Sequence, residues 1–149
     1  MRLKLLALSA GLTVALVGTI VFLPTGSQGE ARDLANGSTL YAQHCAACHG
    51  ADLEGAPNWR QPGPNGRLPA PPHDATGHTW HHADQVLFEI TKYGSAAVIG
   101  GGYESDMIGF GDVMSDSDIR DVLAFIKSTW PERERRFQAD ITARAAAAR

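Results

Sequence analysis

Residues 45–49 read Cys-Ala-Ala-Cys-His, and Cys45 and Cys48 are the only cysteines in the 149-residue chain. Two thiols three positions apart lie close together on one helical turn, with an imidazole on the next residue. Few chemistries use that arrangement. A disulfide framework in a small exported domain takes more than one pair. A structural zinc site takes four ligands, commonly from two Cys-x-x-Cys knuckles, and the chain has one. A thioredoxin-type redox pair sits near a βαβ pattern, which is absent here.

The chemistry that fits the pentapeptide is covalent attachment of a c-type haem. Each thiol can form a thioether with a haem vinyl group, and the adjacent histidine then faces the iron. The motif predicts Cys45 and Cys48 as haem-attachment residues, His49 as an axial iron ligand, and one haem c per chain.

The N-terminus supports this reading. Arg2 and Lys4 form a positive start, Leu5 to Leu23 carries no charge, Pro24 breaks the run, and Thr25–Gly29 is small and polar. This is the layout of an export signal. The run is also just long enough to span a bilayer. Residues 1–29 are therefore expected to be a signal peptide or an N-terminal membrane anchor, with residues 5–23 as the tether in the second case. Both place the remainder across the membrane. In a bacterium that is the periplasm or the outer face of the cytoplasmic membrane.

Charge narrows the partners. The chain has 13 Lys+Arg against 16 Asp+Glu, a net −3. Residues 33–131 hold five basic and twelve acidic side chains, a net −7, and residues 132–149 a net +2. A domain at −7 lacks the basic face that nucleic-acid binding through counterion release needs. It suits redox proteins with a basic docking face. No internal repeat is visible, so solenoids are excluded.

The residues around the motif resemble the start of a class I c-type cytochrome, a monohaem protein with His/Met-ligated iron. Gly37 lies eight residues and Tyr41 four residues before Cys45. In that family a glycine and an aromatic at those spacings pack the first helix against the last, and Val122-Leu-Ala-Phe125-Ile126 resembles the last-helix segment that meets them. The resemblance covers residues 33–131. It implies an all-α cytochrome c fold, three to four helices around one covalent haem. Residues 132–149, with Phe137 and Ile141 four apart and an Ala-rich end, are expected to form a helical tail.

The local pattern fills in this frame. A first helix is expected from Ser38 to Ala47, capped by Asn36 or Ser38. Residues 50–72 carry Pro57, Pro62, Pro64, Pro69, Pro71 and Pro72 and read as a long functional loop. A second helix is expected from Ala83 to Tyr93, with Val86, Leu87, Ile90 and Tyr93 as its apolar stripe and Gly94 as its stop. Ser95 to Val113 reads as loop. The last domain helix opens at Ser115 with Asp118 completing a capping box, and buries Ile119, Val122, Leu123, Ile126 and Trp130. Pro131 ends it. The tail reads as a solvated helix packed loosely on the domain, with docking or anchoring as its other possible use.

In the family, a proline carbonyl accepts the Nδ1 hydrogen of the haem-ligating histidine, and Pro62 and Pro64 are the candidates. The resemblance also implies a thioether ligand opposite His49. Met107 stands in a glycine-flanked loop 18 residues before Phe125, close to the family's ligand-to-aromatic spacing. Met114 is expected to staple onto Ile119 beside the Ser115 cap. The family often has proline after the ligand methionine, where this chain has Ile108. Trp59, Trp80 and Tyr93 are expected to wall the haem or to pack as ordinary core aromatics. His44 is expected to face solvent. His73, His78, His81 and His82 form a histidine-rich stretch expected near the haem rim.

The functional expectation is an exported monohaem electron carrier, not an enzyme. Two alternatives stay open. One is a haem domain with a displaceable distal ligand, peroxidase-like or gas-sensing. The other is a copper-handling protein using the His73–His82 stretch.

Overall fold

The structure, a computed structural model, describes residues 32–149. The expected export segment, 1–29, lies outside the described residues. The described elements are α1 (Leu34–His44), α2 (Ala46–His49), a 3₁₀ turn (Thr79–His81), α3 (Asp84–Tyr93), α4 (Ser95–Ile99), α5 (Asp116–Ser128) and α6 (Glu132–Ala147), with no β-strand among them. The all-α expectation holds. No helix among the described residues is long and apolar enough to cross a membrane.

Helix α1 starts earlier than the sequence suggested. The Asp33 carboxylate accepts the N–H groups of Ala35 and Asn36 at 3.0 and 2.9 Å, satisfying orphan donors of the first turn. Asn36 and Ser38 therefore lie inside the helix. The Asn36 amide is used laterally instead, donating to Asp118 and Asp121 of α5 at 3.1 Å each.

The α1–α5 crossing is the centre of the fold. A Cβ on Gly37 would lie 2.2 Å from the Asp121 carbonyl oxygen, so only glycine admits this approach. Tyr41 packs on Phe125 with ring centroids 5.6 Å apart. The capping box of α5 is present, Ser115 and Asp118 bonding each other's backbone N–H. Its predicted face, Ile119, Val122, Leu123, Ile126 and Trp130, is buried. Met114 joins the same core.

Helix α3 is rotated relative to its expected stripe. Leu87, Phe88 and Thr91 are buried, while Tyr93 is 56% exposed. Phe88 joins the core, with Arg120 of α5 over its ring at 4.3 Å and Lys92 of the same helix 5.5 Å away. Gly94 ends α3 at φ 87, and the short helix α4 follows where loop was expected.

The tail is more firmly docked than expected. Gln138 of α6 is 1% exposed, and its amide nitrogen lies within hydrogen-bonding distance of the His82 carbonyl, the Asp84 carboxylate and the Thr142 hydroxyl. Thr142 in turn accepts the Asp84 N–H at 3.1 Å. The first turn of α3, which has no side-chain cap of its own, is thus capped from α6. Pro131 both follows α5 and serves as the N-cap of α6.

Candidate haem site

Cys45 is the junction between α1 and α2. Its carbonyl accepts the N–H groups of Cys48 and His49 at 3.1 and 2.9 Å, winding residues 45–49 into a tight turn. Both thiols are free, Cys45 buried and Cys48 exposed. Burial, with Cys48 beside it, pushes the Cys45 thiol up to about 11. Tyr41 holds the exit of the turn by donating its hydroxyl to the Gly50 carbonyl at 2.9 Å.

His49 is buried. Its Nδ1 lies 2.8 Å from the Pro71 carbonyl oxygen. A carbonyl only accepts, so Nδ1 carries the hydrogen and Nε2 keeps its lone pair. Burial lowers the basicity of the ring, outweighing the opposing effect of the Pro71 bond.

The acceptor is therefore Pro71, not Pro62 or Pro64. The reason is the way the proline-rich loop closes. The Leu53 carbonyl takes the N–H groups of His73 and Asp74 at 2.8 and 3.2 Å, and Ala56 N–H donates to Ala70 at 2.9 Å. Residues 70–74 are so pinned beside 53–56, while Pro62 and Pro64 lie on the excursion between. Gly55 makes the closure possible, since a Cβ there would lie 2.4 Å from the Pro72 nitrogen.

In the 73–82 stretch His78 and His82 meet, while His73 and His81 make separate contacts. His73 stacks on His49, ring centroids 4.0 Å apart and planes 20° apart. Burial, then His49 and His78, push its pKa down to about 3, so it is neutral. His78 stacks on Trp59 and meets His82 edge to face, both at 5.4 Å. Arg60 covers the Trp59 ring at 4.0 Å. His81 is exposed against Trp80 and Phe137. Among the described residues no three His, Cys, Asp or Glu side chains are placed to hold a metal ion.

Trp80 donates its indole N–H to the Ala75 carbonyl at 3.3 Å and meets Phe137 of α6. Tyr93 is a surface residue rather than a core aromatic. His44 is half-buried against Phe110, 6.1 Å between centroids, rather than solvent-facing.

The two methionines part as well. Met114 is 4% exposed within the core. Met107 is half-buried in a loop that crosses the end of α3, its carbonyl accepting the Ser95 N–H at 3.2 Å and its neighbour Ile108 bridging to Gly94. Arg67 ties the proline-rich loop to this one, reaching Asp106 at 2.5 Å and Glu104 at 3.4 Å.

These residues fit a covalently bound haem. Two free thiols on one turn suit thioether attachment, and the imidazole beside them has one nitrogen anchored and the other available. A family model for cytochrome c matches residues 34–130. The chain belongs to the cytochrome c family, which binds haem c covalently and whose members generally carry electrons rather than catalyse reactions. Comparison with curated proteins and with solved structures gives no significant match.

Pro71 was not legible as a site residue, and His73, expected near the haem rim, was not legible as the partner that stacks on His49. Their placement depends on where the loop closes, and Pro71 differs from five neighbouring prolines only in that respect.

Proposed function

We propose that the chain is an exported monohaem cytochrome c that passes single electrons between protein redox partners. The observation that carries this is the buried imidazole of His49, anchored at Nδ1 by Pro71 and set one residue after two free thiols. In this reading Cys45 and Cys48 hold the haem through thioethers and His49 Nε2 ligates the iron. Met107 would supply the second iron ligand, because Met114 is already used in packing the core. When bound, the haem supplies a one-electron ferric/ferrous couple. The chain's own work is to hold the ligands rigidly, keep water off the proximal side, and present an acidic surface. One electron enters and one leaves, and no bond to a substrate is made.

The net −7 of residues 33–131 supports docking to a basic partner face. Among the described residues no three metal-ligating side chains meet in the His73–His82 stretch, which favours the electron carrier over a copper-handling protein. Export rests on residues 1–29, and the native N-terminal mass tells a cleaved signal from an anchor.

Potentiometric titration of the purified exported protein tests the reading. One haem per chain and a single reversible wave of about 59 mV per tenfold change in the oxidised-to-reduced ratio is expected for a one-electron couple. A two-electron slope, or irreversible reaction with peroxide during turnover, contradicts it.

A further inference from the structure

His49 is held twice. Its bond to the Pro71 carbonyl holds the ring edge at Nδ1. The second hold is the face of His73, parallel within 20°.

His73 itself is anchored on every side. Its backbone N–H donates to Leu53 at 2.8 Å, and its carbonyl accepts the Trp130 indole N–H at 2.7 Å. Its Nδ1 lies 2.8 Å from the hydroxyl of buried Thr79, which also reaches the Pro72 carbonyl at 3.4 Å. A proton on His73 Nδ1 donated to Thr79, and the Thr79 proton donated to Pro72, satisfies all three groups. Tyr41 closes the edge of the ring at 6.3 Å.

The geometry points to His73 as a positioning residue: stacked on His49 and anchored through Thr79, it fixes the plane of the axial imidazole. This rests on His49 being an iron ligand. Groups that orient a ligating histidine from behind tune the metal through it. The plane of an axial imidazole selects the iron d-orbitals with which it mixes. In the ferric protein its angle is therefore recorded in the spread of the four haem methyl proton shifts. A side chain that only filled space would alter stability and leave that spread unchanged.

The experiment compares ferric holoprotein of wild type, Thr79→Val, His73→Phe and His73→Leu by proton NMR. Thr79→Val frees the His73 ring, so the methyl spread is expected to change. His73→Phe keeps a flat face but loses the Thr79 anchor, so it is expected to change the spread about as Thr79→Val does. His73→Leu removes the face and is expected to change it most, with broadening as the His49 ring samples more than one angle. A wild-type spread in Thr79→Val overturns the proposal, whether or not His73→Leu folds. His49→Ala separates this from the underlying reading. If that variant keeps the wild-type low-spin spectrum, His49 is not a ligand and both fail. If it loses that spectrum while Thr79→Val keeps the wild-type spread, only the role of His73 fails.

Discussion

Gly37 of α1 meets the backbone of Asp121 in α5 so closely that a Cβ there would fall 2.2 Å from its carbonyl oxygen and 3.0 Å from the Phe125 Cβ. The obstacle is backbone in the middle of a helix, so it cannot yield as a flexible side chain would. The Asn36–Asp121 and Asp33–Asp121 bonds fix the same crossing, and all three depend on the two helices staying in contact.

Gly37→Ala is therefore expected to destabilise the holoprotein by about 2 kcal/mol, within the usual range for overpacking a tight contact. The gain in helix propensity offsets only about 1 kcal/mol. Denaturant unfolding measures it. An unchanged midpoint would mean that the helices separate without cost.

The methionines give a paired test. Met107→Ala is expected to open the distal side, lower the reduction potential and admit cyanide or carbon monoxide readily. Met114→Leu is expected to leave the visible spectrum unchanged and to cost under about 1.5 kcal/mol, because it nearly conserves core volume. Met107→His should restore a six-coordinate iron at a lower potential than methionine gives. The reverse pattern, with Met114→Leu losing the native spectrum, would reassign the ligand.

Gln138→Leu should detach the tail from α3. The change takes an amide donor from the half-buried His82 carbonyl and from the Asp84 carboxylate, which keeps Lys127 at 2.6 Å, so the cost is about 0.5–1.5 kcal/mol. Thermal unfolding should show the loss, and limited proteolysis should cut α6 sooner than in wild type. A tail as resistant as wild type would show that Trp80–Phe137 packing holds it alone.

Acid should weaken the fold through the histidine pair. Burial lowers the pKa of His78, with His82, His81 and Arg60 adding to it; burial and then His81 lower that of His82. Below the ordinary value of 6.5 the unfolded chain binds protons that the native chain refuses, so stability falls as pH falls. The loss begins as the pH falls below 6.5, above the range where carboxylates dominate. His82→Gln removes one charge beside His78 and should flatten the slope and raise the His78 pKa seen by NMR. A slope identical to wild type would place the acid sensitivity elsewhere.

How far the sequence carried is clear from particular residues. Gly37, Tyr41, the Ser115–Asp118 box and the α5 face were legible because each is a local spacing or a helical period. Met114 was legible as core because it stands beside that box. The Asp33 cap was missed because Asn36 and Ser38 are equally good capping types, and the choice depends on what α5 offers Asn36. The stripe of α3 was misread by one position because Arg120 of α5 covers Phe88, a contact from another helix. Pro71 was hidden among prolines, and the His73–His49 stack joins residues 24 apart through a loop with no period to read.

The central claim is a haem covalently held by Cys45 and Cys48. Mass measurement of the denatured, exported protein after acid-acetone extraction tests it most directly. The account predicts the chain plus one haem, and loss of that haem in the Cys45→Ala, Cys48→Ala double variant. Haem that extracts freely from wild type, or a chain carrying only a Cys45–Cys48 disulfide, would contradict it.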